Sequence, residues 1–200
     1  MFPGAELLDF AGPLETLAWT KHSDNGDVFT VGPQREIVTN PSALRITVDY
    51  LFDSAPVPDI IVVPGGDGAH NRHAHTDAVV DYIKQAKAGG AVITSVGPGT
   101  FLLGWAGLLD GRRCTTHSAY RARLAKEFPA AKVEEATVVA EGPDLVTAAN
   151  VSSGLDLAIY LLGRYFGPEI AARTASGMNF AARPDEIREY NVTAENAPVP

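Results

Sequence analysis

Three stretches of this chain bring together residue types that can do chemistry. The first, Thr94-Ser95-Val96-Gly97-Pro98-Gly99-Thr100, runs from an apolar, β-branched strand directly into the apolar stretch Phe101 to Leu109. A strand-to-helix turn that sharp lifts one strained residue out at the carboxyl end of a sheet, beside a helix N-terminus that favours negative charge. That is the geometry of a nucleophile elbow. The second stretch, Val63-Pro64-Gly65-Gly66-Asp67-Gly68, ends the preceding strand at the same sheet edge, where its backbone N–H groups can bind an oxyanion or a carbonyl. The third is a lone carboxylate, Asp9, in the apolar run Leu7-Leu8-Asp9-Phe10-Ala11, with no cation beside it in sequence. An apolar wall disfavours the ionised form, so the expectation is a raised pKa and a general acid or base. Taken singly, each glycine-rich turn reads as an ordinary α/β connection and Asp9 as a cap ahead of Pro13; their order and contexts favour the functional reading.

Other reactive side chains fare less well. Cys114 lies three residues before His117 in the expected strand Arg113–His117, so alternation puts the two on opposite faces, a poor arrangement for a thiolate–imidazole pair. It reads as a buried structural cysteine. As the only cysteine it can form no intrachain disulfide and no Cys-x-x-Cys metal site. His70, His73 and His75 have spacings of three and two with no carboxylate partner nearby, so no metal site is expected, and no cofactor.

The elements that must position these residues alternate along the chain. Strands are expected at Val28–Val31, Ile60–Pro64, Ala91–Val96, Arg113–His117, Thr137–Ala140 and Leu145–Ala148, and helices at Pro13–His22, Asp77–Ala88, Thr100–Ala106, Ala119–Glu127, Ser153–Phe166 and Pro168–Ser176. This is the pattern of a doubly wound, mostly parallel sheet sandwiched by helices, an α/β fold of flavodoxin-like type. With 200 residues, 46% of them hydrophobic and 20% charged, the chain reads as one domain over 1–189 with a loose tail over 190–200. A formal charge of −8 argues against nucleic acid as a partner. No basic stretch leads into an apolar run at the N-terminus and no 18-residue apolar segment occurs, so neither export nor a membrane is expected and the cytoplasm is the expected location.

The order of motifs carries a specific resemblance. Phe2-Pro3-Gly4 with Leu8-Asp9-Phe10-Ala11-Gly12-Pro13, then Val63-Pro64-Gly65-Gly66, Thr94-Ser95-Val96 with Gly99, Ala106 to Arg113, Thr115-Thr116-His117, and Val151 to Ala158 are similar to successive motifs of the isonitrile-hydratase branch of the class I glutamine amidotransferase-like superfamily, the fold of PfpI-type proteins and of the DJ-one superfamily. The match runs from about residue 2 to about residue 165 and fades in the tail. The resemblance implies a buried strand ahead of Phe2, which the chain lacks: either the chain begins downstream of that strand or the sheet manages without it.

In the family the elbow carries a cysteine paired with a carboxylate. The matching position here is Gly97, and Pro98 stands where a small polar residue is usual. Glycine tolerates an elbow's backbone but cannot attack, and proline removes the N–H that usually donates to the oxyanion. Proline also biases Gly97 away from helical angles, which leaves the shape of the elbow in question. Two parts of the thiol mechanism are missing together, which favours natural divergence over a single engineered knock-out. By the same resemblance Asp9 lies beside the cysteine position and Glu15 matches an acidic position. Thr116 and His117 follow a Thr-Thr-His motif, and Ser118 replaces a large aromatic. Two large-to-small changes, at 97 and 118, imply a roomier pocket.

The expectation is therefore a cysteine-independent enzyme in which Asp9, with Glu15 and His117, acts on a comparatively bulky small molecule bound by Gly65, Gly66, Gly97, Pro98, Thr116 and Ser118. The reaction would be a hydration, elimination, isomerisation or cyclisation, and relatives imply a homodimer. The rivals are an inactive ligand-binding or regulatory homologue and a nucleophile-free variant of an isonitrile hydratase.

Overall fold

The computed structural model describes residues 1–19 and 26–192. Its centre is a five-stranded sheet in the order β11-β9-β10-β6-β5, built from β5 (Ile60–Val63), β6 (Val92–Val96), β9 (Val138–Glu141), β10 (Leu145–Ala148) and β11 (Ile187–Tyr190). All pairs are parallel except β9 with β10, a hairpin closed through Gly142 at φ +67°. Every residue of β6, β9 and β10 is buried, as strands covered on both faces must be.

Alternation divides the strand side chains between two cores. Ile61, Val63, Ile93 and Leu145 pack with the apolar faces of α3 (Thr76–Ala88) and α4 (Thr100–Trp105), whereas Val96, Val138, Ala140, Val146 and Ala148 pack with Leu157 and Leu161 of α6 (Ser153–Phe166). Helix α1 (Leu7–Ala18) crosses α6 closely: a β-carbon on Gly154 would stand 3.2 Å from the Pro13 ring. The buried Asp156 on α6 accepts from the backbone N–H and guanidinium of Arg183, tying the chain beyond α7 (Pro168–Gly177) back onto the domain. Short pairs lie outside the main sheet: β1 (Val31–Gly32) parallel with β4 (Tyr50–Leu51), β2 (Glu36–Val38) antiparallel with β3 (Arg45–Thr47), and β7 (Arg113–Cys114) parallel with β8 (Lys132–Val133). Two further short helices are α2 (Asp67–His70) and α5 (Arg121–Glu127).

The architecture is the expected one; several boundaries are not. Helix α1 begins at Leu7, not Pro13, because Asp9 belongs to its first turn and Pro13 is carried inside it; the expected end at His22 lies outside the described residues. The strand expected at Val28–Val31 shrinks to Val31–Gly32 and leaves the main sheet. Of Arg113–His117 only the first two residues pair, since the side chains of Thr115 and Thr116 bond to neighbouring carbonyls as the chain turns. Ile187–Tyr190, which shows no clear strand pattern, pairs with β9. On the other side β5 is the edge strand among the described residues, and a groove of about 1080 Å³ lies against it, lined by Met1, Phe10, Leu14, Val31, Ile60 and Tyr82 among others.

Candidate active site

The candidate site forms where three connections meet: the first turn of α1, the Gly65–Gly68 turn after β5, and the Gly97–Gly99 turn after β6. Asp9 reaches the centre from α1 and is 1% exposed. Its Oδ2 accepts the Gly65 N–H at 2.9 Å, while Oδ1 is buried with no partner. Burial holds the proton on this carboxyl, the Gly65 N–H works against that, and the neighbouring Glu6 adds to it, so that the Asp9 pKa is pushed up to about 7. Both protonation states are therefore populated near neutral pH.

The elbow keeps its shape. Gly97 stands at φ +53°, in the left-handed region, and a 3₁₀ turn over Gly97–Gly99 leads into α4. Pro98, whose expected effect was to disturb that turn, is accommodated because glycine precedes it. The Gly97 carbonyl accepts from Thr116 Oγ1 at 2.9 Å, and Thr100 Oγ1 lies 3.2 Å from it. A β-carbon on Gly97 would stand 3.2 Å from Asp9 Oδ2 and 3.6 Å from the Ala149 carbonyl. The two glycine-rich turns abut: a β-carbon on Gly65 would lie 2.4 Å from Pro98 Cδ and 2.7 Å from Asp9 Oδ2, and one on Gly99 would lie 2.4 Å from the Val63 carbonyl. These glycines allow backbones to touch where any side chain would force them apart.

The structure thus brings together Asp9, Gly65, Gly97, Pro98 and Thr116, with Gly66 next in the turn at φ +101°. It does not bring in the others. Glu15 is exposed, and six residues beyond Asp9 it faces another side of α1. His117 caps its own turn, with Nδ1 accepting from the Ala119 N–H at 3.2 Å, and its ring packs near Tyr120; Ser118 is exposed. Gly97 is buried beside Asp9 whereas Ser118 is exposed, and neither residue lines the groove beside β5.

Thr100 and Glu6 were missed by sequence reading. Thr100 was legible as the first polar residue of the helix after the elbow, and Glu6 as an acid one helical turn before Asp9.

Cys114 is fully buried and its thiol is pushed up to about 12 by burial and by Glu134, so it supplies no thiolate. Among the described residues no group of three or more His, Cys, Asp or Glu is arranged to hold a metal ion. The site itself sets one carboxyl group able to exchange a proton near neutrality against one backbone donor and the bare backbone of the Gly97 turn.

Comparison with known proteins adds the relatives. A family model described as DJ-1/PfpI family matches residues 1–163. Isonitrile hydratase of Pseudomonas putida is 32% identical over 184 residues, covering 92% of this chain and 78% of the hydratase. The HTH-type transcriptional regulator CdhR of Pseudomonas aeruginosa is 23% identical over 177 residues, 88% of this chain, which spans about half (52%) of that regulator. Among solved structures, a ThiJ/PfpI family protein from Pseudomonas syringae superposes with a TM-score of 0.76 at 24% identity, over 92% of this chain and 74% of that one, a likeness of fold.

Proposed function

Because this chain belongs to the DJ-1/PfpI family and carries a buried carboxyl group against an elbow without a nucleophile, we propose that it is an enzyme acting by general acid/base chemistry through Asp9, with no covalent thiol intermediate. The observation that carries the reading is Asp9 itself, whose Oδ1 is buried without a partner and whose pKa of about 7 suits proton transfer at neutral pH. Gly65 N–H stabilises the carboxylate after Asp9 gives up its proton. Thr116 holds the Gly97 carbonyl, and with it the elbow that faces the carboxyl group, while Thr100 ties the start of α4 to the Thr115 carbonyl.

No cation is among the groups that shift the Asp9 carboxyl, which is buried, and an uncharged molecule is the substrate class that such surroundings accept. Hydration, elimination, isomerisation and cyclisation of a comparatively bulky small molecule all move protons, and one carboxyl group that titrates near neutrality can serve as donor in one step and acceptor in another. A cytoplasmic homodimer belongs to the same reading; no described helix is long and apolar enough to cross a membrane.

The test is Asp9→Asn, which keeps size and polarity but transfers no proton at neutral pH. With a substrate found by screening, starting from isonitriles of increasing size, turnover falls by at least about a hundredfold while ligand affinity stays within a few-fold. The pH–rate profile loses the limb near neutrality. Full turnover by Asp9→Asn overturns the mechanism. A ligand that binds tightly and is never converted favours the regulatory reading, which the similarity to CdhR supports.

A further inference from the structure

The turn that supplies the Gly65 N–H contains three glycines in four residues, Gly65, Gly66 and Gly68, and glycine leaves a turn more conformational freedom than any other residue. Three consecutive carbonyls, that of Gly66 in this turn and those of Asp67 and Gly68 where α2 begins, each meet a histidine ring. Gly66 O lies 3.1 Å from His70 Nδ1, Asp67 O lies 3.3 Å from His73 Nε2, and Gly68 O lies 3.2 Å from His75 Nε2. A carbonyl oxygen only accepts, so the ring nitrogen facing it must carry hydrogen. His70 is thereby set as the Nδ1–H tautomer and His73 and His75 as Nε2–H, and each bond survives protonation of its ring.

The rings are themselves held. His75 stacks on Phe2 at 5.3 Å between ring centres and on His73 at 5.5 Å. His70 is buried beside Tyr120, at 4.4 Å, and its own carbonyl accepts from Arg123 at 2.5 Å. On its other side the turn is bonded to the start of the chain, through Glu6 N–H to Gly65 O and Gly68 N–H to Gly4 O.

We propose that His70, His73 and His75 are positioning residues that clamp the Gly65–Gly68 turn and so keep the Gly65 N–H donor on Asp9. None of the three touches the Asp9 carboxyl; they act through the turn. The proposal deepens the reading of Asp9 as the functional group. Release of the clamp weakens the one hydrogen bond that favours the Asp9 carboxylate and leaves burial and Glu6 unopposed. His70 and His75 matter more than the exposed His73.

The experiment reads Asp9 directly and needs no substrate, so its failure is separable from failure of the catalytic test. Carbon-detected NMR titration of the Asp9 carboxyl is compared in the native chain, His75→Leu and His75→Gln, with amide exchange of Gly65 followed alongside. Leucine removes the donor, and is expected to raise the Asp9 pKa by about half a unit or more and to speed Gly65 exchange about tenfold. Glutamine, whose amide N–H₂ can reach the same carbonyl, restores both. Nitrogen-15 spectra of the native protein are expected to show His70 as Nδ1–H. An unchanged Asp9 titration in a folded His75→Leu variant overturns the proposal. Should that variant fail to fold, the tautomers and His73→Leu decide it: a His70 ring protonated on Nε2 alone, or a His73→Leu variant with Gly65 exchange no faster than native, is equally fatal.

Discussion

Asp9 Oδ2 lies 3.2 Å from the point that a β-carbon on residue 97 would occupy, and residue 97 is glycine. A side chain at the elbow would press on the carboxyl group; without one, the carboxyl group faces the bare backbone of the turn. The left-handed φ of +53° at Gly97 costs glycine little, so the elbow keeps its shape with no side chain on it.

The raised pKa of Asp9 makes stability depend on pH in a definite direction. Its folded value of about 7 lies above the ordinary 3.8, so the folded state binds more protons between these values. The contribution is fully present below pH 3.8 and is lost as pH rises through 7. Native protein is expected to lose up to about 4 kcal/mol of unfolding free energy from this group between pH 4 and pH 8. Asp9→Asn should flatten that part of the profile and be the more stable protein at pH 8. Urea denaturation of both proteins across this range measures it; parallel profiles would mean that Asp9 ionises freely.

Restoring the thiol alone should not restore thiol chemistry. Gly97→Cys places a side chain in the left-handed region at a cost of about 1–3 kcal/mol, and Pro98 still offers no N–H to an oxyanion. Gly97→Cys with Pro98→Thr is expected to hydrate an isonitrile to its formamide faster than either single variant. Cys114 serves as the internal control, since a buried thiol pushed up to about 12 should resist iodoacetamide at pH 8 until the protein is unfolded. Equal rates for Gly97→Cys and the double variant would show the N–H of residue 98 to be dispensable.

Gly65 should be far less tolerant than its conformation suggests. A methyl group there would meet Pro98 at 2.4 Å and Asp9 at 2.7 Å, and the Pro98 backbone nitrogen at 2.8 Å, so backbone must move. Gly65→Ala is expected to cost about 2–4 kcal/mol, whereas Gly107→Ala, at φ +76° with open space around it, should cost about 1–2 kcal/mol for its backbone alone. Denaturant midpoints of the two variants compare them, and equal losses would show that the two turns part without difficulty.

The sheet was legible because β5, β6 and β10 are short β-branched runs bounded by turn residues, and α3 and α6 repeat their apolar residues at helical spacing. The start of α1 was not. Pro13 reads locally as a first helical residue, yet the helix begins six residues earlier, because packing of α1 on α6 compensates for an interior proline. Strand β11 was missed for a related reason: Ile187-Arg188-Glu189-Tyr190 has little apolar alternation, and an edge strand needs only a partner's ladder to pair with.

The candidate site divides along the same line. By itself the chain determined that position 97 offers no nucleophilic side chain and position 98 no backbone N–H, since no tertiary contact can supply either, and it marked Asp9 as a carboxylate among apolar neighbours. Only the tertiary structure decided which candidates meet. Helical phase turns Glu15 away from Asp9, His117 turns its ring onto its own backbone, and three distant connections converge, with Asp9 bonded to Gly65 and facing Gly97. The pKa of Asp9 belongs to that second class too, because desolvation depends on what the rest of the fold packs around a carboxyl group, and no local spacing specifies it.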